Sequence, residues 1–144
     1  MTHADKGKYF KKHPHDAEID EELKKEIVEQ VKNNYISCRK VEEITAEMRS
    51  TLAEAGKTID LLNIKITKCQ LGLFGYGETK KIVQPAKEVA PELKENITSA
   101  LKDGMLSCSC AWEIAGKLNI PRMKVASACE ALQIKIKPCQ LGAF

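Results

Sequence analysis

Leu23, Ile27 and Val31 recur every four residues in an otherwise charged stretch, and Leu93, Ile97 and Leu101 do the same seventy positions later. That spacing draws one apolar stripe along a helix and predicts an amphipathic helix at each place. Asp20 suits an N-cap and Pro91 suits a first helical position. Asn34 and Gly104 tolerate the left-handed conformation and are expected to stop these helices. The short apolar pairs Tyr35-Ile36 and Met105-Leu106 come next. Ser37 and Ser107 then read as N-caps of a second helix, which runs from Cys108 to Leu118 in the later stretch. A turn at Asn119-Ile120 leads to Pro121, which opens a third helix reaching to about Leu132. Its earlier counterpart is read from Leu52 to Asn63. Ile64-Lys65-Ile66 and Ile134-Lys135-Ile136-Lys137 alternate apolar and basic side chains, the period of a strand with one buried face.

The two stretches are copies. A shift of 70 residues aligns 20–74 with 90–144 without a gap, and 18 of the 55 aligned positions are identical. Ser37-Cys38 returns as Ser107-Cys108, and Cys69-Gln70-Leu71-Gly72 returns as Cys139-Gln140-Leu141-Gly142. The expected fold is mainly α with short β-strands, as a tandem repeat of a three-helix unit. Two copies are too few for a solenoid, so a pseudo-twofold pair is expected. Residues 1–19 are polar and read as a mobile tail. Residues 20–74 and 90–144 are the two units. Residues 75–89 are a linker or, because Lys81-Ile82-Val83 follows a glycine-rich turn, a wing hairpin.

Composition narrows the function. With 43% hydrophobic and 30% charged residues, the chain has the balance of a soluble globular protein. No apolar run nears the roughly 18 residues that span a bilayer, and no signal-peptide core is present. The expected location is the cytoplasm, with no membrane partner. The net charge of +3 arises wholly in residues 75–144, which hold 10 basic and 7 acidic side chains against 13 and 13 in residues 1–74. An enzyme is not expected. The Gly72-x-x-Gly75-x-Gly77 run does not open a helix as a dinucleotide loop must. The three histidines, His3, His13 and His15, all lie in the tail, so none in a folded segment serves as base for a cysteine. No cofactor is expected.

Ile114-Ala115-Gly116-Lys117-Leu118-Asn119-Ile120-Pro121-Arg122-Met123-Lys124-Val125 resembles the helix-turn-helix of bacterial and archaeal transcription regulators. Ala115 is small where two helices cross, Asn119 stands where the family usually has a glycine at positive φ, and Ile120 and Val125 anchor the third helix. Three helices and a strand further resemble a winged-helix unit. The first copy departs from this pattern, with Ile44-Thr45 for Ile-Ala, Arg49 at the turn and Ala55 for Val125. Its third helix carries Glu54 and Asp60, which suit a phosphate backbone poorly.

The resemblance implies a transcription regulator that binds double-stranded DNA, with the second unit as the main reader. Arg122, Met123, Lys124 and Ser127 would face base edges, and Lys117, Lys135 and Lys137 would meet phosphates. The alternative is a protein-interaction or accessory module on a degenerate helix-turn-helix, with a protein partner or a second copy, and with its lysines simply solvated. Cys38 and Cys69, like Cys108 and Cys139, are 31 residues apart. Winged-helix topology would bring each pair together, as packing residues, a redox pair or part of a metal site. His13-x-His15 reads as solvated tail rather than a metal site. Cys129, standing where the first copy has Ile59, reads as core. Trp112 reads either as packing or as a partner contact.

Overall fold

The computed structural model describes residues 20–143. The expected tail over 1–19, His13-x-His15 with it, lies outside the described residues. The chain is mainly helical with a few short strands, and it divides into two compact units. Of the described residues, the first comprises 20–68 together with Leu141–Ala143, and the second comprises Cys69–Gln140. Each unit therefore contains the Leu-Gly of the motif that ends the other stretch of sequence.

In the first unit, α1 (Glu21–Gln30) is opened by Asp20, whose carboxylate accepts from the Glu22 and Leu23 amides at 3.0 and 3.2 Å. Leu23 and Ile27 are its buried stripe. Strand β1 (Tyr35–Ser37) runs into α2 (Cys38–Met48), where Ser37 Oγ accepts from Lys40 N–H at 3.2 Å. Arg49 closes α2 in the left-handed region, φ 53°. Thr51 caps α3 (Leu52–Leu61), and β2 (Lys65–Thr67) follows. β1 and β2 pair in parallel with Ile36 opposite Ile66. Parallel neighbours need a long crossover, and α2 with α3 supplies it. Ile36, Val41, Ile44, Ala55, Ile59 and Ile64 join Leu23 and Ile27 in the buried set. Leu141 is buried as well, and its main chain lies against Gly56 of α3 so closely that an added Cβ would stand 2.3 Å from the Leu141 carbonyl oxygen.

The second unit has the same order of elements: α4 (Pro91–Ala100), β3 (Met105–Leu106), α5 (Cys108–Leu118), α6 (Arg122–Ala131) and β4 (Lys135–Ile136). Pro91 occupies the start of α4 as expected. β3 and β4 pair in parallel, Leu106 opposite Ile136. Leu71, Val83, Leu93, Ile97, Leu106, Ala111, Val125 and Cys129 form its core. Fully burying each large aliphatic side chain contributes about 1.5–3 kcal/mol.

Two expectations are corrected. Asn34 and Gly104 do have positive φ, 69° and 76°, but they do not stop the helices, which end at Gln30 and Ala100. Asn33-Asn34 and Asp103-Gly104 are instead the centres of two-residue turns. Lys32 and Tyr35 exchange backbone bonds of 3.0 and 2.9 Å, and Lys102 and Met105 bonds of 2.8 and 3.0 Å. Positive φ at both central residues is the requirement of a type I′ turn. The hairpin alternative for 75–89 is not formed either. That stretch holds a short 3₁₀ turn at Gly77–Thr79 and no strand, and Val83 enters the core of the second unit.

Candidate functional site

In the second unit, residues 107–131 form two helices, α5 and α6, joined by a short turn at Asn119-Ile120. Ser107 Oγ accepts from Cys110 N–H at 3.0 Å and starts α5. Asn119 ends it at φ 54°, ψ 49°. The Ile120 amide then reaches back to the Ala115 carbonyl at 3.0 Å. A left-handed residue followed by such a long backward bond satisfies the last carbonyls of a helix. Pro121 precedes α6 and accepts from Lys124 N–H at 3.0 Å. Val125, Ala126, Ala128 and Cys129 are the inward face of α6.

The outward face of α6 is occupied by the unit's own chain. Arg122 lies over the Trp112 ring, 3.7 Å from its centroid, and donates to Gln70 Oε1 at 2.9 Å. Met123 packs over Gly72, whose absent Cβ would stand 3.2 Å from the Met123 methyl and from Val83. Ser127 Oγ donates to the Gln84 carbonyl, and its own carbonyl accepts from Ala86 N–H at 3.0 Å. Lys81 pairs with Glu130 one turn further on. Gly72 holds this segment in place by accepting from both Ile82 and Val83 amides, at 2.9 and 3.1 Å. It does so at φ 73°, a conformation that favours glycine. Lys124 and Ala131 are the two exposed residues of α6.

Of the side chains expected to meet DNA, Arg122, Met123 and Ser127 are therefore engaged within the unit. Lys117, Lys124, Lys135 and Lys137 are exposed. Lys117 reaches Asn96 Oδ1 at 3.2 Å, and Lys135 and Lys137 flank the buried Ile136 of β4. In the first unit α3 presents Ala53 and Glu54, while Ala55, Gly56, Thr58, Ile59 and Asp60 are buried. Sequence reasoning missed the covering residues Gln70, Lys81, Val83 and Gln84. Nothing local marks Gln70 as a partner for a residue 52 positions away, although the glycine of the Gln-Leu-Gly motif was a hint of close backbone approach.

The thiols of the second unit form a second group. Cys108 is the first residue of α5 and is buried, and its amide donates to the Pro138 carbonyl at 3.0 Å. Gln140 Nε2 points at its sulfur from 3.5 Å. Burial pushes the Cys108 thiol up, against the bonds from Gln140. Burial also pushes Cys69 up, opposed by main-chain bonds from Leu73, Leu71 and Phe74, with Cys139 adding to the rise. Cys139 itself is half-buried. Cys38 is buried in the first unit. Cys129 is in the core, its thiol pushed up to about 11 by burial and by Glu130. Trp112 packs within the unit beneath Arg122. Among the described residues, no group of three or more His, Cys, Asp and Glu side chains is arranged to hold a metal ion, and no helix is long and apolar enough to cross a membrane. No protein-family profile, curated protein or solved structure matches the chain.

Proposed function

We propose that the chain is a protein-interaction or accessory module built on helix-turn-helix units, rather than a reader of base sequence. One observation carries this reading. The third helix of the second unit, the element a helix-turn-helix lays in the major groove, has Arg122, Met123, Ser127 and Glu130 held by residues 70–86. A helix with one exposed lysine has little with which to read a base edge. The first unit supports the same reading, since its α3 exposes Glu54 and its single basic residue, Lys57, is half-buried.

A transcription regulator that binds double-stranded DNA is the second reading. It is favoured by the left-handed Asn119 turn, which suits a helix-turn-helix, and by the exposed Lys117, Lys124, Lys135 and Lys137. Titration of the full chain with mixed genomic duplex over a salt series separates the two. A DNA reader loses log affinity linearly with log salt, by roughly 0.9 per phosphate contacted, and loses part of that slope in Lys124→Glu. The accessory module gives no measurable binding, even at low salt, and Lys124→Glu changes nothing. A linear salt dependence blunted by Lys124→Glu would overturn the proposal.

A further inference from the structure

The repeated Ser-Cys and Cys-Gln-Leu-Gly motifs play no part in the interaction reading, yet the second unit brings their cysteines together. The parallel pairing of β3 and β4 continues past Leu106 and Ile136 through the Cys108 amide bond to the Pro138 carbonyl, 3.0 Å. Standard bond lengths across that hydrogen bond put the Cα atoms of Cys108 and Cys139 about 5–7 Å apart, which overlaps the range disulfides occupy. The Cys108 sulfur faces this segment, because Gln140 Nε2 contacts it at 3.5 Å. Access is asymmetric, with Cys108 5% exposed and Cys139 half-buried. The residue with more solvent access is the one to meet a small oxidant first, and the more buried one is left to resolve it, the division between an attacking and a resolving cysteine.

We propose that Cys139 and Cys108 are a peroxide-oxidisable pair that closes to a reversible disulfide. The Cys139 thiolate attacks hydrogen peroxide. An S–O bond forms, the O–O bond breaks, and the departing hydroxide takes up the Cys139 proton as water. Cys108 then attacks the sulfenic sulfur. The S–S bond forms, the S–O bond breaks, and hydroxide leaves as water with the Cys108 proton. Two thiols give two electrons to one peroxide, yielding one disulfide and two waters. Gln140 assists the second step, because its amide donates to the Cys108 sulfur and favours the thiolate. So does the position of Cys108 at the start of α5, where the helix dipole stabilises negative charge. The raised Cys108 thiol slows this step but does not prevent it, since the sulfenic acid is presented at a fixed, short distance.

The test treats the reduced full chain with a modest excess of hydrogen peroxide, blocks remaining thiols with N-ethylmaleimide, and maps peptides by mass. The expected product is lighter by two hydrogens, contains a cross-linked peptide joining Cys108 to Cys139, and reverts with dithiothreitol. Cys139→Ser removes the cross-link, and Cys110→Ser keeps it. The wild-type map decides by itself should either variant fail to fold. The proposal is overturned if all cysteines remain open to the blocking reagent after denaturation. It is equally overturned if Cys139 stops at the sulfenic or sulfinic acid, or if the bridge engages Cys69 or Cys110.

Discussion

Replacing Gly56 by alanine distinguishes a docked 141–143 segment from an undocked one by the sign of its effect. Alanine is the better helix former, and in a helix interior it gains about 1 kcal/mol over glycine. Gly56 lies inside α3, but a Cβ there would stand 2.3 Å from the Leu141 carbonyl oxygen, 2.8 Å from its carbonyl carbon and 3.0 Å from its Cα. All three are main-chain atoms, so no rotamer change relieves the clash. Carbon contacts become attractive only near 3.5 Å, so helix and segment must part by about 1 Å. Overpacking of this kind costs about 1–3 kcal/mol. Because only backbone can yield, the cost falls toward the upper end, and the net loss after the helix gain is about 2 kcal/mol. For a chain of this size that lowers the melting temperature by roughly 4–8 °C. Gly116 is the control. It lies in α5, is exposed, and has nothing within 4 Å of its absent Cβ. Gly116→Ala should raise the melting temperature by a few degrees, the equivalent of about 0.5–1 kcal/mol. Thermal melts followed by circular dichroism read both variants. If Gly56→Ala stabilises as Gly116→Ala does, Leu141 does not pack on α3.

Trp112 is the chain's single tryptophan, so its emission reports on Arg122 above it. Arg122→Ala should shift that emission and cost about 1–2 kcal/mol. Arg122→Lys should not restore it, because an ammonium lacks the planar fork that stacks on the ring and reaches Gln70; an unchanged spectrum in Arg122→Ala would contradict the stacking. Left-handed positions should respond to residue type: Asn119→Val is expected to destabilise by about 1–2 kcal/mol and Arg49→Gly to stabilise by about 0.5–1 kcal/mol, measured by urea titration, with equal effects counting against the positive φ at both. Burial raises the Cys129 thiol from 9.0 to about 11, so the fold favours the neutral form. Its contribution is complete below pH 9 and is lost as the pH rises through 9 to 11, at up to about 1.4 kcal/mol per pH unit. Cys129→Ala should flatten the stability profile in that window, and a slope unaltered by the substitution would show that Cys129 is solvated.

What the sequence disclosed was local in origin. The stripe of Leu23 and Ile27, the serine caps at Ser37 and Ser107, and the left-handed Asn119 each depend on residues within one or two turns. Asn34 and Gly104 show the limit of such reasoning. Their positive φ was legible, but a helix stop and a type I′ turn ask for the same residue types, and only the backbone pairing of Lys32 with Tyr35 decides between them. The exposed lysines were recognisable as surface. The fate of Arg122, Met123 and Ser127 was not, because it depends on Gln70, Gly72, Val83 and Gln84, which meet α6 only through tertiary packing. Positions that a family pattern assigns to a groove are also positions to which another stretch of the same chain can dock.

The placement of Leu141–Ala143 in the first unit has a consequence for the order of events during synthesis. The helices of that unit leave the ribosome first, yet the residue that sits on Gly56 follows it by 85 positions, after every helix and strand of the second unit. The earliest-made unit is thus the last to be completed. Until then α3 lacks the Leu141 main chain that later packs on Gly56, while the intervening chain is still folding. Contacts of such long sequence separation form slowly, and an incompletely covered unit on a nascent chain invites association with other chains. Refolding of the full chain should accordingly be slower, and more concentration-sensitive, than its short helices and tight turns alone would imply.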